Sequence, residues 1–294
     1  MGTTASITLS AKISRLRGRP DFQRSPVAAV RRRLWWRLRW AVSSKPWRLK
    51  LHDDIEMFAP KGGAGALIYY QGYSEPETAR FLRAFLKPGM TFWDVGAHIG
   101  EYSLLAARCV GATGRVHAFE PQPRMFEFLG RNALANRLAN VALHRLAVSD
   151  RVGTAALWLH PEPSMSCLIP DQFADAVMPA VSVSTTSLDE FWKSSNQLPD
   201  VIKVDVEGAE RSVLTGGEGL LQLPDPIAPV WIMEFDEGNC SRFGYPARDL
   251  IALFSTHGFD TYWITRDGDL ERTSSGAAGA RASNLFAKKR AVEC

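Results

Sequence analysis

From Thr91 onward the chain repeats one pattern, a short apolar run followed by a stretch with apolar residues at helical spacing. The runs predict strands over Thr91–Val95, Val116–Glu120, Val141–Ala147, Val201–Val206 and Val230–Phe235. Between and after them, helices are predicted over about 100–110, 124–136, 187–194, 208–222 and 246–257, the last ending at Gly258 as a C′ residue. Strand and helix in alternation imply βαβ crossovers, hence an α/β fold with a doubly wound, mostly parallel sheet. Asp260–Ile264 and Asn284–Lys288 read as two further strands joined by a Gly/Ala/Ser-rich segment, Ser274 to Ser283. Upstream, Arg48 to Phe58 alternates around Asp53-Asp54 and predicts a hairpin or edge strand. Ser74-x-x-Glu77 reads as a capping box opening a helix, with Pro76 in its first turn, Phe81, Leu82, Phe85 and Leu86 as its stripe, and Pro88-Gly89 as its stop.

Composition adds an asymmetry that the pattern does not show. The 294 residues are 46% hydrophobic, a globular balance, and carry a net charge of +4. Residues 1–50 hold thirteen Lys/Arg against the single acid Asp21, whereas the rest hold 22 basic and 30 acidic side chains. The expected organisation is therefore a basic, aromatic arm (1–47), a hairpin and helix packing on the core (48–90), and the main α/β domain (91–290). Drawn as a helix, the arm aligns Val27, Val30, Leu34, Leu38 and Ala41 on one stripe, with Arg32, Arg33 and Arg39 opposite and Trp35, Trp36, Trp40 and Trp47 as interfacial side chains. Such an arm suits reversible docking on an anionic membrane through residues 27–48, or packing of Leu34 to Trp40 on the main domain. The Arg/Ser-rich start also resembles a transit peptide, and Met1-Gly2 with Ser6 fits a myristoylation pattern. Nucleic acid is not expected as a partner. The four cysteines are scattered without metal or disulfide spacing, and no apolar run is long enough to span a bilayer, so a cytoplasmic protein, soluble or peripheral to the membrane, is expected.

The chemistry is concentrated in FWDVGAHIGEYSLLAA, Phe92 to Ala107, where a strand ends in Asp94, a glycine turn (Gly96, Gly100) follows, and a helix begins at once. Glycines let a backbone approach a ligand closely, and a helix start offers unpaired N–H groups. Twenty residues past Gly100 the next strand ends in Glu120, the position from which an acid accepts hydrogen bonds from a ribose diol. The spacing Gly-x-x-x-Gly, with His98 between, is not the G-x-G-x-x-G of a pyrophosphate site, and Asp94 would repel a pyrophosphate while suiting an amino group. The alternative for Asp94 is an N-cap. An NAD-linked oxidoreductase is disfavoured further because no Tyr-x-x-x-Lys is present.

Ligands of open α/β sheets bind past the carboxyl ends of the strands, so VIKVDVEGAE (Val201 to Glu210) and WIMEFDE (Trp231 to Glu237) bring Asp205, Glu207, Glu234 and Asp236 to one edge. Lys203 lies inside a strand expected to be covered on both faces, which calls for a carboxylate partner among Asp94, Asp205 and Glu234, or for a stem that runs its head into water. Asp205, Glu234 and Asp236 have no firm metal-ligand spacing, and no metal is predicted. In the segment Pro161 to Pro179 only Ser166 is a candidate to face the site.

The blocks from Ile68 to Glu237, together with LAVSD, VSTTSLDEF and the closing NLFAKK, resemble the FkbM family of methyltransferases. The resemblance implies a Rossmann-like class I methyltransferase fold and methyl transfer from S-adenosylmethionine to a hydroxyl of a sugar, polyketide or other natural product. By the same resemblance Asp94, Gly96, Ala97, His98, Gly100, Glu120 and Pro121 bind the cofactor. The loop from Ala147 through Ser149 to Asp150 would lie near the adenine, and Asp205 to Glu207 would face the reacting centre. His98 stands where the family pattern has Asn. Methyl transfer to oxygen needs alignment and removal of the acceptor proton; Asp205 or Glu207 is the expected base or anchor, with Lys203 organising the site and His98 as an alternative base. A binding module that keeps the fold without catalysis is the other reading.

Overall fold

The computed structural model describes residues 20–62, 64–160, 165–169, 179–273 and 283–291. The described residues open with α1 (Pro20–Arg24) and α2 (Pro26–Val42), the hairpin β1 (Trp47–Lys50) and β2 (Glu56–Ala59), then α3 (Ala64–Gln71) and α4 (Pro76–Phe85). The alternating part follows as β3 (Thr91–Val95), α5 (Glu101–Val110), β4 (Arg115–Phe119), α6 (Pro123–Ala135) and β5 (Val141–His144). A side sheet takes β6 (Ala147–Val148), β7 (Gly153–Trp158) and β8 (Ala180–Thr186). After α7 (Leu188–Ser195) come β9 (Val201–Val204), α8 (Glu210–Thr215), α9 (Glu218–Gln222), β10 (Val230–Phe235), α10 (Glu237–Arg242) and α11 (Arg248–Thr256). Last are β11 (Phe259–Ile264), β12 (Leu270–Arg272) and β13 (Ser283–Lys289).

The main sheet has the order β12-β11-β13-β10-β9-β3-β4-β5. β10, β9, β3, β4 and β5 pair in parallel, while β13 runs antiparallel between β10 and β11. Central parallel strands are covered on both faces and so read as continuous apolar runs. Phe92, Val201, Ile232 and Phe286 point to one face, where they meet Leu82 of α4, Leu105 of α5 and the hairpin residues Ile55 and Met57. Trp93, Ile202, Val204 and Trp231 point to the other, against Leu188, Val213, Leu220 and Phe254. This is the doubly wound α/β sheet the alternation predicts.

The edge of β2 is closed by side chains. Asn132 Oδ1 accepts from Phe58 N–H at 2.7 Å and Asn136 Oδ1 from Glu56 N–H at 2.8 Å, so α6 satisfies amides that an exposed edge would leave open.

Several expectations need correction. The Ser74 capping box does not form: the helix starts at Pro76 with Glu75 as its N-cap residue, and Ser74 Oγ is drawn instead to Glu101 Oε2 at 2.7 Å. The strand expected over Val141–Ala147 breaks after His144, because Ala147 and Val148 pair with Thr185 and Thr186 in the side sheet. The helix expected over 208–222 is two, since the Asp189 carboxylate captures the N–H groups of Gly219 and Leu220 at 2.8 and 3.2 Å and starts a new helix there. β12 intervenes between the two late strands; most of the Ser274 to Ser283 joint lies outside the described residues. In the arm, the buried residues of α2 are Ala29, Trp36 and Trp40, with Trp36 stacked on Trp47 and Tyr69 at ring distances of 5.6 and 5.3 Å. Of the aromatic side chains expected at an interface, only Trp35 is exposed, and the stripe through Val27, Val30, Leu34 and Leu38 faces outward. The myristoylation motif and most of the transit-like start lie outside the described residues.

Candidate active site

A cavity of about 610 Å³ opens at the carboxyl ends of β3, β4, β9 and β10, beside the switch point between β3 and β9 where the strand order reverses. One side is built by the glycine turn. Gly96 has φ +85°, and a Cβ there would lie 1.8 Å from the carbonyl oxygen of Asp205, so only glycine lets the two strand ends touch. The N–H groups of Gly96 and Ala97 both donate to Phe119 O, at 3.0 and 2.9 Å, tying the turn to β4. His98 then takes a left-handed φ of 51°, which aims its own N–H at Glu120 Oε2, 2.7 Å away. Gln122 N–H donates to Glu120 Oε1 at 2.8 Å. Glu120 is thus held by two backbone amides, one on each oxygen, with lone pairs left for a further donor. Burial pushes its carboxyl up to about 7, against the pull of those two amides.

The His98 side chain is half-buried, its Nε2 is buried without a partner among the described residues, and desolvation drives the imidazole down to about 4, which favours the neutral ring. Gly96, Ala97, His98, Glu120, Pro121 and Ala147 all lie on the cavity wall, as does Ser166, whose Oγ accepts from Gln122 Nε2 at 2.9 Å. Asp94, Gly100 and Ser149 do not. Asp94 sits behind the wall, where Oδ2 accepts from Ser103 Oγ at 2.5 Å and Oδ1 has no partner among the described residues; burial raises its carboxyl. Gly100 is the N-cap of α5 at φ +90°. Ser149 is turned toward Thr186 and Asp150.

The opposite side is acidic. Lys203 is register partner to Asp94 across β3 and β9, and its Nζ lies 2.9 Å from Asp205 Oδ2 and 4.7 Å above the Tyr102 ring. Burial alone would depress the Lys203 ammonium; Asp205, Asp94 and Glu75 outweigh it and hold the group above the usual lysine range. Glu207 carries a left-handed φ of 56°, a strained setting for a side chain of its size. Its Oε2 accepts from Asn239 Nδ2 at 2.9 Å, and the same amide nitrogen lies 3.3 Å from Glu234 Oε2. Burial, then the nearby Asp205 charge, pushes Glu207 up to about 8, and the same two causes raise Glu234 well above the carboxylate range.

The structure also brings in residues that sequence reasoning missed. Glu75, at the start of α4, reaches the cavity and accepts from Asn284 Nδ2 at 2.7 Å; Glu101, next to Gly100, accepts from the Ser74 N–H and hydroxyl, and burial lifts it to about 8. Glu101 could have been flagged from its place directly after the glycine turn. Glu75 comes from a distant helix start and carries no such signal. α3, also unpredicted, walls the cavity with Ala64, Ala66, Leu67 and Tyr70. Asp236 does not join the acids: it caps α10, accepting from Asn239 N–H at 2.8 Å. Among the described residues no three His, Cys, Asp or Glu side chains gather as metal ligands, and no helix is long and apolar enough to cross a membrane.

The Methyltransferase FkbM domain matches residues 94–261. The 31-O-demethyl-FK506 methyltransferase FkbM of Streptomyces tacrolimicus is 34% identical over 163 residues, covering 45% of this chain and 61% of that protein. The hexuronic acid methyltransferase AglP of Haloferax volcanii is 30% identical over 151 residues, covering 50% of this chain and 58% of that protein. The chain therefore spans less than two thirds of the length of the curated relatives it matches. A solved structure, the methyltransferase FkbM of Methylobacillus flagellatus KT, aligns over 91% of this chain and 60% of its own, with 15% identity and a TM-score of 0.45.

Proposed function

This chain belongs to the FkbM methyltransferase family, and on that footing we propose that it transfers a methyl group from S-adenosylmethionine to a hydroxyl of a sugar, polyketide or other natural-product acceptor. The observation that carries the reading is one cavity with two unlike sides, Glu120 clamped by two backbone amides opposite the acids Asp205, Glu207 and Glu234. The residues fit the cofactor. Glu120 has acceptor capacity left for a ribose diol, and the unpartnered His98 Nε2 on the cavity wall is a buried polar atom of the kind a bound ligand satisfies, while Asp94 supports the turn from behind. Gly96, Ala97, His98 and Pro121 shape that half, Gly100 starts the helix behind them, and the Ala147–Ser149 segment flanks it. When bound, S-adenosylmethionine supplies an electrophilic methyl group on a sulfonium.

The chain's own groups do the rest. In this reading residues 91–290 form the catalytic unit, residues 48–90 close one side of it, and the arm 1–47 lies outside the chemistry. Asp205 anchors the acceptor, its charge balanced by the positioning residue Lys203. Glu207, its carboxyl pushed up to about 8 by burial and the Asp205 charge, takes the acceptor's hydroxyl proton in its ionised form, which dominates above that value. The oxygen acceptor is supported by the family and by the relative from Streptomyces tacrolimicus, a 31-O-demethyl-FK506 methyltransferase. Isothermal titration of the full chain with S-adenosylmethionine and, separately, with NAD tests the reading. Binding of the first and not the second is expected; NAD bound in preference would overturn it.

A further inference from the structure

Helix α2 buries the wrong face for its hydropathy. The side it turns inward is held by aromatic stacking and polar contacts to α3: Trp36 lies on Tyr69, the Arg32 guanidinium donates to Tyr70 O at 2.8 Å, and Arg33 sits 4.5 Å from the Tyr70 ring centre. Arg33 is also paired with Asp21. The side turned to solvent carries Val27, Val30, Leu34, Trp35, Leu38 and Val42, each between 50% and 81% exposed. At 3.6 residues per turn these six cover an arc of about 140°. A large exposed apolar patch of this kind marks an interaction site rather than ordinary surface.

Charge identifies what covers it. Between Pro26 and Val42 there are five arginines and no acid. Arg37 borders the apolar arc on one side, Arg32 and Arg39 on the other, and Arg31 rises within it; Arg31 and Arg37 are exposed and have no ion-pair partner among the described residues. An apolar ridge with basic margins is the surface that settles into the headgroup region of an anionic bilayer, its arginines on lipid phosphates and a tryptophan at the boundary. We propose that the outward face of α2 docks this protein on an anionic lipid surface. The same helix leans on α3, which walls the active-site cavity through Ala64, Leu67 and Tyr70. Docking therefore holds the cavity close to the lipid, where an acceptor carried by or dissolved in the membrane is at hand.

The test is co-sedimentation of the full chain with vesicles of phosphatidylcholine alone and of phosphatidylcholine with about 30% phosphatidylglycerol. The comparison variants are Leu34→Glu/Leu38→Glu and Arg31→Gln/Arg37→Gln, all at exposed positions, with thermal melting as a check that they fold. Expected results are binding to the anionic vesicles that weakens as salt rises, a loss of tenfold or more in the leucine pair, and a loss of about thirtyfold in the arginine pair at low salt, from about 1 kcal/mol per basic residue. No binding by the parent chain, equal binding by all three proteins, or equal binding to neutral and anionic vesicles would each overturn the proposal. Light scattering that finds a dimer broken by Leu34→Glu/Leu38→Glu, with no vesicle binding, would overturn it in favour of a second copy of the chain. No cofactor enters the measurement, so its failure would leave the methyltransferase reading untouched.

Discussion

Replacing Lys203 by Met keeps most of the buried stem and removes only the charged head, so the packing cost should be small. What is lost is the cation that faces Asp94, Asp205 and Glu75 inside the sheet. Lys203 is 1% exposed and the Asp205 side chain 31%, so Asp205 can rehydrate, as can Glu75 from the cavity, whereas Asp94 cannot. Breaking a buried pair from one side costs about 3–5 kcal/mol; with Asp205 discounted for its access to water, about 3 kcal/mol is expected at pH 8. The sign of the pH dependence follows from the direction of the shifts. Asp94 and Glu75 already have raised carboxyls, and losing the lysine raises them further; a group of this kind contributes stability below its unfolded pKa and loses it as pH rises through the folded one. The deficit should therefore shrink toward pH 5, as proton uptake by the raised Asp94 and Glu75 carboxyls of the folded variant removes the charge that Lys203 compensated, while the same groups stay largely ionised in the unfolded chain. Urea unfolding of Lys203→Met and the parent at both pH values reads this directly, and at pH 8 the melting temperature should drop by roughly 6–12 °C. An equal deficit at both pH values would mean that packing, not charge compensation, is the role of Lys203. No deficit at all would refute the argument outright.

Three further outcomes are expected. Glu120→Ala should weaken S-adenosylmethionine binding by about 1.5–3 kcal/mol, the loss of hydrogen bonds to a charged group. In the parent chain the affinity should rise with pH through about 7, as the buried carboxyl ionises, and then level off, a dependence that calorimetry should find missing in Glu120→Gln. Gly96→Ala places a methyl against the Asp205 carbonyl in a left-handed backbone, so both the melting temperature and cofactor binding should fall; a variant with parental binding would mean that the two strand ends are freer than described. Trp36→Ala removes the residue that stacks on Trp47 and Tyr69, and limited proteolysis should then cut within α2 many times faster while the sheet stays protected.

How far the chain could be read in advance depended on where each signal lay. β3 and β10 match their expected limits because strands buried on both faces must be apolar throughout. The β7–β8 hairpin was invisible, since Gly153–Trp158 and Ala180–Thr186 mix small and polar residues in a sheet with an exposed face. In α2, hydropathy picks out Val27, Leu34 and Leu38, but Trp36 and Trp40 are buried instead, because the partners that select the face, Trp47 and Tyr69, come from other elements. The site divides in the same way. Gly96 and Glu120 are read from one contiguous motif and its spacing, whereas Glu75 is delivered from the start of a separate helix and α3 is a short Ala/Gly-rich run with little periodicity.

The position of β13 bears on how the protein is made. β13 follows β11 and β12 in the chain, yet in space it separates β10 from β11 and bonds to both. Until Ser283–Lys289 has left the ribosome, two strands present open edges to one another and to any passing chain, the arrangement most prone to mispairing. Sheet completion is therefore a late, non-local event. A stop codon or proteolytic cut ahead of Ser283 would do more than shorten the protein: it would leave an unsealed seam through the middle of the sheet.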